Sequence, residues 1–185
     1  GCSLVVRPIW EEYTPKYGEK LIVIDPKMAF GTGTHATTAH CLRFVEKYVK
    51  VGDRVLDIGT GSSILLVASK LFGASKLIGV DIDEEALLSA EENLKLNGIS
   101  DYELSTSFSD SRSYDVVIAN IICEVLIDLF NSMVNKMQKN GLLFLSGILI
   151  EKTGKMEAII LHSKLEIVEK SIEDGWVGYV CKKSY

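Results

Sequence analysis

The residues best suited to chemistry lie in Val55-Leu56-Asp57-Ile58-Gly59-Thr60-Gly61-Ser62-Ser63, where an apolar run ends in an acid and enters a glycine-rich turn. A helical stretch, Ile64 to Phe72, follows directly. Glycine permits positive φ and the close approach of a bulky ligand, and the free N–H groups at the next helix start offer a binding surface. A second acid narrows the ligand. Leu77-Ile78-Gly79-Val80-Asp81 reads as the next strand, with Asp81 at its C-terminal end. In a doubly wound sheet, ligands sit outside the carboxyl ends of strands, where the strand order reverses. An acid at that place can accept both hydroxyls of a ribose, which points to a nucleoside-bearing cofactor. A dinucleotide site would read G-x-G-x-x-G, but here Gly59 and Gly61 are followed by Ser62, Ser63 and Ile64. Asp57 would repel a pyrophosphate and suits a cationic amino-acid moiety instead. S-adenosylmethionine carries such a moiety and no phosphate.

The elements that must hold these residues alternate in type. Leu4-Val5-Val6 and Leu21-Ile22-Val23-Ile24 are short strand candidates joined by the polar stretch Glu11 to Lys20. Residues 1–28 therefore read as an entry or linker segment ahead of one domain over 29–185. Ala29-Phe30-Gly31-Thr32-Gly33-Thr34-His35 is a second glycine-rich loop, feeding a helix over about Ala36 to Tyr48. Thr34, Thr37 and Thr38 stand where a cap is wanted, yet two glycines with Phe30 and His35 exceed what capping needs. Further along, the spacing predicts a helix over Asp83 to Asn97, a short strand and Ser-rich loop within Tyr102 to Asp110, and a buried strand from Tyr114 to Asn120. Ile121 to Gln138 reads as a helix stopped by Asn140-Gly141, and Leu142 to Ile148 as an apolar strand. A helix from about Glu151 to His162 precedes a terminal strand pair, Leu165 to Lys170 and Gly175 to Lys182. This alternation predicts an α/β fold, a mostly parallel sheet carrying an antiparallel edge hairpin.

Composition sets the outer limits. A chain of 185 residues with 47% hydrophobic and 24% charged content can bury a core of its own. The formal net charge of −5 argues against direct nucleic-acid binding, which would need a basic face. Cys2, Cys41, Cys123 and Cys181 lie far apart with no C-x-x-C pair, which predicts reduced, mostly buried thiols and a cytoplasmic setting, with no metal site. No apolar run reaches membrane-spanning length, and no basic-then-apolar leader is present.

With these pieces in order, the chain resembles the class I S-adenosylmethionine-dependent methyltransferases. The loop Ala29 to Thr38, followed by Val80-Asp81-Ile82-Asp83 and Ala119-Asn120-Ile121-Ile122, is similar to motifs of the ribosomal protein L11 methyltransferases, and the match runs from about Leu4 to the end. The resemblance implies a Rossmann-like seven-stranded sheet with helices on both faces. It also implies N-methylation of protein amines, lysine ε-amine or N-terminal α-amine, on a large-subunit ribosomal protein, with S-adenosylhomocysteine as product. Thr38, Gly59, Asp81 and Asn120 match the family's cofactor-contacting positions; Asp57 and Gly61 in the first turn, with Phe30 and Thr32 in the second loop, complete the candidate set. Asn120 is the candidate catalytic residue, its side-chain carbonyl accepting a hydrogen bond from the incoming amine and aiming the lone pair. The chain departs from the family in having Ser63 at the third glycine, a short stretch between Leu104 and Tyr114, and only about twenty residues ahead of the core where the resemblance implies a recruiting domain, which leaves open a truncated piece, a natural short form or a relative with another substrate. Chemistry therefore transfers from the resemblance better than substrate identity does.

The sequence offers no strong general base, so a desolvated pocket that lowers the amine pKa, with water taking the proton, is the expected route. Two rival readings remain open: a small-molecule or RNA methyltransferase of the same fold, and an inactive cofactor-binding module. His35 is a substrate-contact candidate or a backbone-bonded loop residue, while His40, His162, Trp176 and Tyr179 read as structural.

Overall fold

The structure, a computed structural model, describes residues 3–26, 35–109 and 111–185. Two parallel strands, β1 (Leu4–Pro8) and β2 (Lys20–Ile24), form a small sheet of their own. Helix α1 (Ala36–Tyr48) leads into a seven-stranded sheet built from β3 (Arg54–Ile58), β4 (Lys76–Val80), β5 (Glu103–Ser105), β6 (Tyr114–Asn120), β7 (Met137–Leu149), β8 (Glu166–Glu173) and β9 (Trp176–Lys182). Its order is β5-β4-β3-β6-β7-β9-β8, parallel from β5 to β7, with β9 antiparallel to both β7 and β8. The predicted terminal pair is thus an antiparallel hairpin at one edge. Strand order reverses between β3 and β6, so the carboxyl ends of these two neighbours define the switch point.

Strand periodicity sorts the core into two layers. Leu56 and Ile58 pack with Val117, Ala119 and Leu145 beneath α4 (Cys123–Lys136) and α5 (Thr153–His162). Val55, Val116, Ile118 and Phe144 face the other way, against α1 and α2 (Ile64–Leu71). Asp57, two residues after Val55 on β3, therefore falls on the α1/α2 face, where successive side chains alternate. Helix α3 (Glu84–Leu96) begins at the predicted place, with the Asp83 side chain accepting from Glu85 N at 2.9 Å. It ends as Asn97-Gly98 suggested, with Gly98 at φ +70°.

Two boundaries differ from the sequence expectation for physical reasons. Ile121 and Ile122 belong to the turn after β6 rather than to α4, which starts at Cys123. Asn140-Gly141 does not stop the helix but sits inside β7, whose pairing with β6 shifts register between Tyr114 and Val116. Asn140 takes φ +62°, the left-handed conformation that asparagine tolerates, and its N–H donates to Lys183 O at 2.7 Å. A helix-stop signal and a strand-bulge signal look alike at this level.

Candidate functional site

The turn after β3 is held in a conformation that glycine makes possible. Gly59 has φ +73° and Gly61 φ +51°, and the N–H groups of Gly59 and Thr60 both donate to Val80 O, at 2.8 and 2.9 Å. A Cβ on Gly59 would come within 2.3 Å of Ile121 Cγ2, so the absence of a side chain lets the turns after β3 and β6 meet. Ser63, at the position of the third glycine, is also left-handed at φ +61°. Its hydroxyl lies 3.1 Å from Thr60 Oγ1, which in turn donates to Asp57 Oδ2 at 2.8 Å. The serine thus keeps the glycine conformation at a cost of about 1–2 kcal/mol, offset in part by that hydroxyl pair.

Asp81 closes the loops from the other side. Its Oδ2 accepts from Gly61 N at 3.0 Å and its Oδ1 from Asp83 N at 3.1 Å. A carboxylate offers about four acceptor positions, so roughly half remain for a ligand's hydroxyls. Asn120 ends β6 at the switch point. Its Nδ2 donates to Thr38 Oγ1 at 3.3 Å, while its Oδ1 is buried and has no hydrogen-bond partner among the described residues. Gly147, on β7 next to Ser146, which pairs with Asn120, makes this placement possible: with φ +87°, a Cβ there would stand 2.2 Å from Ile121 O.

These groups line one cavity of about 1080 Å³, reached by Thr38, Gly59, Gly61, Asp81 and Asn120. Asp57 does not line it; 1% exposed, it sits behind the turn. Phe30 and Thr32 lie outside the described residues. His35 borders the cavity but serves first as the N-cap of α1, its Nδ1 accepting from Thr37 N at 3.3 Å, so the cap is the histidine rather than a threonine. Trp176, which the sequence reading assigned to packing, is a cavity wall set edge-on to His35 with ring centroids 5.2 Å apart. Tyr179 is core, its hydroxyl donating to Glu157 at 2.8 Å. His40 is fully buried, and burial, reinforced by Arg43, pushes its pKa down.

The sequence reading missed the far wall. Thr106, Ser107 and Phe108 after β5, with Val125 and Leu129 of α4, complete the cavity. The Ser-rich run at a strand's carboxyl end was the signal available for the first three. Among the described residues no group of three His, Cys, Asp or Glu side chains is placed to hold a metal ion. Cys41, Cys123 and Cys181 are free and buried. No helix among the described residues is long and apolar enough to cross a membrane.

In sequence and fold the chain is similar to ribosomal protein L11 methyltransferases. The family described as ribosomal protein L11 methyltransferase (PrmA) matches residues 1–184. A ribosomal protein L11 methyltransferase of Caldanaerobacter subterraneus subsp. tengcongensis is 42% identical over 186 residues, covering 99% of this chain and 60% of the relative. One from Brevibacillus brevis is 39% identical over 185 residues, covering 97% and 59%. The chain thus spans about three-fifths of the length of the curated relatives it matches. A crystal structure of the ribosomal protein L11 methylase from Lactobacillus delbrueckii subsp. bulgaricus superposes with a TM-score of 0.93 at 31% identity, covering 100% of this chain and 97% of that one. The chain belongs to the ribosomal protein L11 methyltransferase family.

Proposed function

We propose that the chain is an S-adenosylmethionine-dependent N-methyltransferase acting on protein amines, lysine ε-amine or N-terminal α-amine, of a large-subunit ribosomal protein. The observation that carries this reading is the state of Asn120. Its amide nitrogen is anchored to Thr38, and its carbonyl oxygen, beside a large cavity at the sheet's switch point, is buried and unpaired among the described residues. A buried polar atom without a partner is costly unless a ligand completes it. An amine N–H is the complement it lacks.

The residues present also fit the cofactor. Asp81 keeps acceptor capacity after its two backbone bonds, the Gly59 turn presents backbone with no side chain in the way, and Ile82 stands 92% exposed at the rim, an apolar face for a planar base. Asp81 would hold the ribose hydroxyls, Gly59 and Gly61 would border the amino-acid moiety, and Thr38 would keep Asn120 in place. When bound, the sulfonium supplies an already activated methyl group, so the protein has only alignment and desolvation to contribute. Asn120 Oδ1 accepts from the substrate amine and fixes its lone pair. The largely apolar walls, Ile58, Ile122 and Leu129 among them, lower the pKa of an amine that enters, because burial disfavours its charged form.

Calorimetric titration with S-adenosylhomocysteine, on the native chain and on Asp81→Ala, tests the cofactor assignment. Micromolar binding is expected, weakened at least tenfold in the variant. Radiolabelled methyl transfer to a lysine-bearing ribosomal protein tests the activity. Failure of the native chain to bind would reduce the reading to a likeness of fold.

A further inference from the structure

Asp57 is a carboxylic acid in surroundings that do not support a charge. Its side chain lies on the face of β3 covered by α1 and α2 and is 1% exposed. Among the described residues only one of its oxygens is satisfied: Thr60 Oγ1 donates to Oδ2 at 2.8 Å, while Oδ1 finds no hydrogen-bond partner. The groups around it can be named element by element. From the end of β4 comes the carboxylate of Asp81, a like charge; from α1 comes the buried thiol of Cys41; from the start of α2, Ser63 acts only through Thr60. Its partners in the neighbouring strands, Gly79 on β4 and Ile118 on β6, are apolar. Among the described residues the only charged side chain acting on it is Asp81, and no cation compensates. A buried carboxylate with one hydrogen bond and a negative neighbour is strongly disfavoured, whereas the neutral acid is tolerated. Burial, with Asp81 adding to it against the Thr60 hydrogen bond, pushes the pKa of Asp57 up to about 7.

We propose that Asp57 holds a proton in the cofactor-free protein and releases it when the cationic cofactor binds on the far side of the Gly59–Gly61 turn, so that the site acquires negative charge only as its ligand brings the positive charge to balance it. This rests on the cofactor reading above. The balance is simple: the Asp57 O–H bond breaks, the proton passes to the bulk buffer, and the carboxylate left behind would be balanced by the positive charge of a ligand held by the Gly59–Gly61 turn. Asp57 does not line the cavity, so it is a positioning residue rather than a catalytic one. It acts through Thr60 and the backbone it braces. The positive charge that binding brings near Asp57 favours its charged form, and by linkage the ionised form favours binding.

The test is proton counting. The full chain is titrated with S-adenosylmethionine, the form of the ligand that carries the net positive charge, at pH 6, 7 and 8, each in phosphate and in imidazole, whose ionisation enthalpies differ widely. The expected result is release of close to one proton at about pH 6, about half a proton at about pH 7 and little at about pH 8, with the apparent Kd weakening by up to about tenfold per pH unit below 7. Asp57→Asn, which mimics the neutral acid, should still bind but lose the buffer dependence of the enthalpy. Should that variant fail to fold, infrared difference spectra of the native chain give a second readout, because a protonated carboxyl band must vanish when the ligand is added. Intact binding with a buffer-independent enthalpy at pH 6 and 7 overturns this proposal and leaves the cofactor reading standing. Absence of binding by either S-adenosylmethionine or S-adenosylhomocysteine overturns both.

Discussion

Asn120, Asp81 and Asp57 could be picked from the sequence because each ends a recognisable strand or sits at its mouth, yet their working states could not. That Asn120 has one satisfied and one unsatisfied end depends on Thr38, which is 82 residues away in sequence. If the free carbonyl orients the amine, Asn120→Ala should lower kcat by about a hundredfold, the penalty of a misaligned reactant. The Kd for S-adenosylhomocysteine should change by less than about threefold. Unchanged turnover with weakened cofactor binding would reassign Asn120 to the cofactor alone. Asp57 gives a stability prediction whose sign follows from its raised pKa. In the unfolded chain it ionises near 3.8, but in the fold only near about 7. The folded state therefore binds more protons between those values, and stability falls as pH rises through that window, then levels off. Asp57→Asn escapes the penalty. Against the native chain it should be indistinguishable near pH 4 and more stable by a few kcal/mol at pH 8, as read by urea unfolding without cofactor.

At the level of elements, helix starts and buried strands were legible where local signals were unambiguous, as with Asp83 before α3 or the apolar run of β6. They were misread where one signal serves two structures, as with Asn140-Gly141, whose bulge is fixed by pairing with a strand that precedes it by over twenty residues. The same long-range logic explains why Gly147 was passed over: its importance comes from Ile121 pressing against it from another strand end. Two substitutions separate close contact from mere turn geometry. Gly59→Ala and Gly147→Ala both force a side chain into positive φ, which costs about 1–2 kcal/mol. At Gly59 the obstruction is a methyl of Ile121, which can rotate away, whereas at Gly147 it is the Ile121 carbonyl and carbon, which are backbone. Gly147→Ala should therefore be the more destabilising by at least about 1–2 kcal/mol in chemical denaturation. It should also depress activity beyond that loss, because it displaces the turn that carries Asn120. Equal effects in the two variants would mean that the turn after β6 adjusts freely.

For the whole molecule, alternation of strands and helices was enough to give the sheet and its edge hairpin, because each crossover and hairpin is a local decision. The cavity was less legible, since its far wall is recruited from the stretch after β5 and from α4, which carry no chemical motif. On the proposed reading, with Asp81 turned to the ribose, the described walls of the cavity offer an amine desolvation and the Asn120 acceptor rather than a strong base. Asp57 lies behind the turn, and His35 is committed to its cap. If the proposed transfer to an amine takes place, the proton leaves the amine before or during it with little help from these residues, and the cost depends on the amine. At pH 7 it is about 4–5 kcal/mol for an unperturbed lysine with pKa about 10.4, and about 1 kcal/mol for an α-amine near 8. A short peptide methylated at its N-terminus should accordingly show kcat/KM that rises with pH and levels off near about pH 8, whereas a lysine-only, N-acetylated peptide should rise about tenfold per unit through about pH 9. At pH 7 the α-amine should react faster by about two to three orders of magnitude, provided neither peptide is recruited elsewhere. A flat profile for the lysine peptide between pH 7 and 9 would show that a protein group takes the proton after all. Its apparent pKa would then identify which one to look for.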